Sequence, residues 1–167
     1  MTLSEQAFDH KVIHKIRDYF LEKKETISAA ESVTSGLMQT ALALAPDASR
    51  FYQGGITAYN LGQKYKHLSV EPISAENCNC VSQDVARQMA LSVCGLFSSE
   101  WGIGITGYSI PVPESGNKLF AFYAIAYKNK IVLHKKITST KEEIFEVQRG
   151  YVNAILKDLL KLLSGKK

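Results

Sequence analysis

The 167-residue sequence predicts an α/β protein: a three-layer α/β/α sandwich on a mixed sheet, forming one domain over residues 1–167. Two observations carry this. Short apolar runs alternate with longer stretches whose apolar residues recur at helical spacing. Late in the chain, two strand-like runs are joined by Lys128-Asn129-Lys130 and fold back on each other as an antiparallel hairpin. The order helix, β, α, β, short α, α, β, β, β, α therefore needs both kinds of strand pairing.

Phe8, Val12, Ile13, Ile16 and Phe20 define an amphipathic helix over 4–24, with Thr2 and Glu5 at capping-box spacing. Residues 26–30 are small and apolar, a buried strand, and 34–44 read as a helix. Pro46-Asp47-Ala48-Ser49 breaks the chain. Ile56–Tyr59 is strand-like, and the preceding Gly54-Gly55 permits a bulge or a close backbone approach. Asn60 can cap one or two helical turns ending near Leu68. Residues 70–80 read as irregular. Ser82 caps a helix over 83–97 with Val85, Met89, Val93 and Leu96 inward. Residues 101–105 form a short central strand, and 106–117 a loop. Strands at 119–127 and 131–138 follow. A last helix over 141–163 turns Ile144, Val147, Tyr151, Ile155, Leu159 and Leu162 inward.

Composition excludes several classes. The net charge of +4 is spread over helix ends, without a basic stripe interleaved with aromatics, so no nucleic-acid partner is expected. No apolar run is long enough to span a membrane, and no secretory leader is legible. The three cysteines, Cys78, Cys80 and Cys94, are an odd number and fit free thiols in a reducing cytoplasm. Cys78-Asn79-Cys80 has no second pair at metal-site spacing, and His10 and His14 lack a third ligand, so no metal is expected. The apolar first helix and the 119–138 hairpin fit a homo-oligomer and fit ordinary core packing equally well.

The junction Glu31-Ser32-Val33-Thr34-Ser35-Gly36 lies between a strand and a helix. Such a turn aims backbone N–H groups and the positive end of a helix outward, which suits an anion or a developing oxyanion. A simpler reading has Ser32 or Thr34 capping the helix. Three loops, 31–36, 59–64 and 106–117, can meet on one sheet edge and would offer Ser32, Tyr59, Lys64 and Thr106. Serine needs a base to act as a nucleophile. No Ser-His-Asp arrangement is legible, but lysine serves as base in Ser-Lys systems. From about 10.4 in water, working near neutrality needs a shift of roughly three units, about 4 kcal/mol. Burial or a neighbouring cation supplies such a shift. By spacing alone, Lys64 reads as a surface lysine.

Four ordered blocks resemble the CinA C-terminal domain family. Glu31-Ser32-Val33-Thr34-Ser35-Gly36-Leu37 is similar to its E-S-C-T-G-G-L. The segment 51–60 with Lys64 is similar to F-x-G-G-V-V-x-Y-S-N-x-x-K. Residues 81–90 resemble V-S-x-E-V-A-x-x-M-A, and Gly102–Gly107 a strand ending in V-T-G. The resemblance covers about residues 8–163 and implies a nicotinamide-nucleotide amidase. Such an enzyme hydrolyses the carboxamide of nicotinamide mononucleotide to the acid and ammonia, with no metal or cofactor. It implies Ser32 as nucleophile, Lys64 as base and Tyr59 as an aid to proton transfer. It also implies Glu31, Thr34, Ser35, Gly36, Gly54, Gly55, Thr106 and Gly107 as substrate-binding residues, and a small-molecule substrate as the partner.

The sequence departs from the family pattern in three places. Ser35 replaces a glycine, and its Cβ would crowd a substrate approaching the backbone. The family's glycine-rich loop after V-T-G is here Tyr108-Ser109-Ile110-Pro111-Val112-Pro113-Glu114-Ser115, which lacks the backbone nest that reaches a phosphate. Phe145 and Val147 stand where arginines often occur. The residues thus support two functions: an amidase, acting on nicotinamide mononucleotide or an altered amide, or a non-catalytic member that binds a small molecule or a protein.

Overall fold

The computed structural model describes residues 7–165. Six helices pack on a five-stranded mixed sheet of order β2-β1-β3-β4-β5. β1 (Ile27–Glu31) pairs in parallel with β2 (Tyr52–Thr57) and β3 (Trp101–Gly107). β4 (Phe120–Tyr127) and β5 (Lys130–Thr138) add antiparallel strands beyond β3. The chain runs from β1 to β2 on one side, then crosses to β3 on the other. The carboxyl ends of the parallel strands thereby open a crevice around β1, the position where such sheets bind ligands.

The helices α1 (His10–Lys23), α2 (Leu37–Ala43) and α6 (Ile144–Ser164) cover one face. The other face carries α3 (Leu61–Leu68), α4 (Pro72–Asn77) and α5 (Gln83–Phe97). On the first face Trp101, Ile103 and Ile105 of β3 meet Phe20, which stacks on Phe51 at 5.5 Å between ring centroids. On the opposite face β3 presents glycine. A Cβ on Gly104 would lie 2.4 Å from the Ala86 carbonyl oxygen, and one on Gly102 2.4 Å from that of Ala90. Ala124 and Ala126 continue this seam, so α5 rests almost directly on the sheet backbone.

Several local expectations are corrected. Thr2 and Glu5 lie outside the described residues. Among those described, the 4–24 helix is interrupted: Asp9 caps a helix starting at His10, its carboxylate accepting from the Val12 N–H at 3.2 Å. The stretch 70–80 contains α4, which Glu71 caps by accepting from the Ile73 and Ser74 N–H groups, with Pro72 in the first turn. Leu96 is half exposed, because the buried face of α5 drifts toward Ala86, Ala90 and Cys94 against the glycine seam. Ile144 is exposed at the start of α6, which Glu143 caps, and Leu163 is more deeply buried than Leu162 at its end. The glycine pair does accompany a bulge: Ile27 pairs with Tyr52 but Ser28 with Gly54. Among the described residues no helix is long and apolar enough to cross a membrane.

Candidate active site

The three parallel strands bring their carboxyl ends to one level, with Glu31 of β1 opposite Thr57 of β2 and Ile105 of β3. Two further main-chain bonds extend that level by one residue. Ser32 N–H donates to Ile105 O at 3.1 Å, and Ala58 N–H donates to Glu31 O at 2.9 Å. Ser32 therefore sits between the ends of the two neighbouring strands, held by the ladder itself.

Lys64 reaches this point from α3. Asn60 caps that helix, accepting from the Gln63 N–H at 3.0 Å, and thus fixes the direction in which Lys64, one turn on, points. Lys64 is not a surface lysine; it is 1% exposed. Its Nζ lies 2.9 Å from Ser32 Oγ, 2.9 Å from Ala58 O and 3.3 Å from Tyr59 O. Two of these three oxygens are carbonyls and can only accept. A neutral amine gives its two N–H bonds to them and turns its lone pair to the one neighbour that can donate, the Ser32 hydroxyl. Burial pushes the Lys64 pKa below the ordinary lysine value, since the charged form is the costlier one to desolvate.

Glu31 has a different task. Its buried carboxylate accepts from the N–H groups of Gly36, Met38 and Gln39 at 3.2, 3.0 and 2.9 Å, and from the Thr34 hydroxyl. Neither Ser32 nor Thr34 caps α2; the glutamate from the preceding strand does. The helix end expected to face a substrate is thus satisfied internally. Gln148 of α6 adds a clamp, its Nε2 donating to Val33 O at 2.7 Å. The Val33 and Thr34 amides donate to no acceptor among the described residues, so the free N–H groups of this turn lie just after Ser32 rather than on α2.

Ser35 has φ +48° and Gly36 φ +100°, so both occupy the left-handed region. Ser35 is exposed and lies outside the cavity lining, which makes backbone conformation, and not substrate clearance, the reason a glycine suits that position. Ser35→Gly is expected to raise stability by about 0.5–1 kcal/mol, read as an increase in Tm, without changing activity.

Ser32 and Lys64 open into a cavity of about 480 Å³. Thr106 and Gly107 line it at the end of β3, with the Thr106 hydroxyl fixed on Cys80 O at 2.7 Å. Gly107 has no room for a Cβ, which would fall 2.5 Å from the Ala121 Cα. Tyr59 lines the mouth but points outward, 71% exposed. Its carbonyl touches Lys64, whereas its hydroxyl bonds to none of the described residues. Gly54 and Gly55 sit mid-strand outside the lining. Gly54 abuts the Phe97 ring, and Gly55 is pressed against Ala29 O and Gln39. Thr34 and Gly36 also lie outside the lining.

Sequence reasoning missed the far wall: Glu76, Asn79 and Cys80 beside Tyr108. Asn79 Nδ2 donates to the Tyr108 hydroxyl at 3.2 Å, and Tyr151 of α6 donates to Tyr108 O at 3.0 Å. The available signal was Glu71-Pro72, a helix start that folds residues 76–80 back over the crevice. Burial raises the Cys80 thiol pKa, which Lys64 partly opposes, so the two side chains sense each other across the floor.

An α/β fold with a serine–lysine pair at the carboxyl ends of parallel strands is the class that these features define. Residues 9–163 match the model of the CinA C-terminal domain, and the chain belongs to that family. It is 34% identical over 153 residues to a CinA-like protein of Prochlorococcus marinus subsp. pastoris, covering 88% of this chain and 35% of the relative. It is 31% identical over 145 residues to a CinA-like protein of Sulfurihydrogenibium, covering 84% and 35%. The chain thus spans about a third of the length of these relatives. A crystal structure of a CinA superfamily protein from Escherichia coli superposes with a TM-score of 0.86 at 26% identity, covering 97% of this chain and 94% of that one. One from Klebsiella pneumoniae superposes at 0.87 and 21% identity, covering 93% and 98%, and shares the fold.

Proposed function

We propose that this domain hydrolyses a carboxamide by a Ser-Lys mechanism, as an amidase of the nicotinamide-nucleotide type. The observation that carries the reading is the 2.9 Å contact between Lys64 Nζ and Ser32 Oγ at the floor of an open cavity. Neutral Lys64 takes the Ser32 proton as Oγ attacks the carboxamide carbon. The developing oxyanion has the Val33 N–H group, which borders the cavity, within the same turn. Lys64 then returns the proton to the leaving nitrogen, the C–N bond breaks, and ammonia departs from an acyl-Ser32. A water deprotonated by Lys64 hydrolyses the ester and releases the acid. Tyr59 contributes its main-chain carbonyl, which helps hold the amine.

The test is ammonia release from nicotinamide mononucleotide and related amides, with Ser32→Ala as comparison. Wild-type turnover that Ser32→Ala abolishes is the expected result. Turnover persisting in the variant overturns the mechanism, and binding without turnover in the wild type supports the non-catalytic reading instead.

A further inference from the structure

The charges around the cavity are unusual for a site that must hold a phosphate. Glu76 of α4 and Glu114 of a single 3-10 turn, Pro113–Ser115, both line the cavity. Both side chains are exposed to solvent, and neither forms an ion pair among the described residues. Lys64 is the only lysine or arginine among the lining residues. Its amine is committed to Ser32, Ala58 O and Tyr59 O and has no hydrogen left for an anion. When Lys64 is neutral, as the proposed base must be, the lining carries two carboxylates and no cation. A phosphate dianion entering there would meet like charge and no cationic partner.

The same mouth offers two aromatic rings. Tyr59 is 71% exposed, and the half-buried Tyr108 lines the same cavity. The exposed Tyr59 ring, with the carboxylates in the same lining, attracts a flat cation, by ring quadrupole and by charge. The cavity is separately marked by Ser32, a buried residue that lines it with its hydroxyl on Lys64.

We infer that the cavity selects a carboxamide that carries a positive charge and no phosphate, with Glu76 and Glu114 as the residues that set this preference. The assignment rests on the amidase reading for its chemistry, but charge selection can be read separately from turnover.

Three probes share one carboxamide: nicotinamide riboside (cationic, no phosphate), nicotinamide mononucleotide (the same ring with a phosphate) and nicotinamide (neutral). The riboside is expected to exceed both others in kcat/KM by about tenfold, the scale of a few partly screened charge contacts. The double variant Glu76→Gln/Glu114→Gln should shrink the riboside-to-mononucleotide ratio several-fold. Calorimetric binding to Ser32→Ala should follow the same order and needs no hydrolysis. Absence of ammonia from all three probes overturns the amidase reading. Mononucleotide preferred over the riboside, a ratio unmoved by the double variant, or no riboside binding to Ser32→Ala each overturns the charge assignment, whatever the outcome for catalysis.

Discussion

Replacing Lys64 by Met is expected to lower kcat for amide hydrolysis by about ten-thousand-fold, the scale on which removal of a paired base or nucleophile acts. The double variant with Ser32→Ala should lose little more, because the two residues act as one unit. No second base stands within reach of Ser32 Oγ, whose side-chain contact among the described residues is Lys64. Activity of the wild type should rise with pH and level off at a pKa below the ordinary lysine value of 10.5, since burial favours the neutral amine that the mechanism needs. A pH–rate profile of kcat/KM measures this directly. A limb centred at 10.5 or above would show that Lys64 is not the base.

The same buried amine predicts how stability varies with pH. Between the lowered pKa of the folded state and the ordinary value in the unfolded chain, the unfolded state binds more protons. Stability therefore rises with pH across that window. Below it, the full penalty of charging or neutralising Lys64 is present; above it, the penalty is gone. Lys64→Met lacks this dependence, so wild-type Tm minus variant Tm should increase as pH climbs toward 10.5. A difference that stays flat would show that the amine remains charged in the folded protein at no cost.

Glu31→Ala is expected to destabilise the protein by about 3–5 kcal/mol, the range for stripping a buried group from several partners that cannot find others. Four donors lose their acceptor at once: the Gly36, Met38 and Gln39 amides and the Thr34 hydroxyl. Thr34 and Met38 are fully buried, so water cannot replace the carboxylate without opening the turn. For a chain of this size the Tm should fall by roughly 10 °C. Activity should fall further than stability requires, since the turn carries Ser32. Denaturant unfolding of Glu31→Ala beside Glu31→Gln, which keeps one acceptor, checks the assignment. A loss below about 1 kcal/mol, the worth of an ordinary cap, would mean that α2 is capped by other means.

Much of this arrangement was legible from residue patterns. Ser82 and Asn60 announced their helices because a cap is a local event written in one side chain. The hairpin after Tyr127 and the glycine bulge in β2 were equally local. The role of Glu31 was not, because its partners lie three to eight residues onward and only the turn brings them back. A carboxylate next to a serine reads as chemistry in a sequence, yet here it is a cap. Lys64 shows the reverse case: spacing alone makes it a surface residue, and only the meeting of α3 with the ends of β1 and β2 buries it. The wall formed by Glu76, Asn79 and Tyr108 joins segments some thirty residues apart, which no periodicity records.

Two hydrogen bonds from α6 to the cavity lining end on main-chain carbonyls, Val33 O from Gln148 and Tyr108 O from Tyr151. Every amino acid supplies that same carbonyl. The side chains along 109–114 can therefore drift without loosening the frame that holds the Ser32 turn and the opposite wall. In this domain the cavity rim is evolvable separately from the frame that positions Ser32, so on the proposed amidase reading a new specificity can arise beside an unchanged Ser32–Lys64 pair.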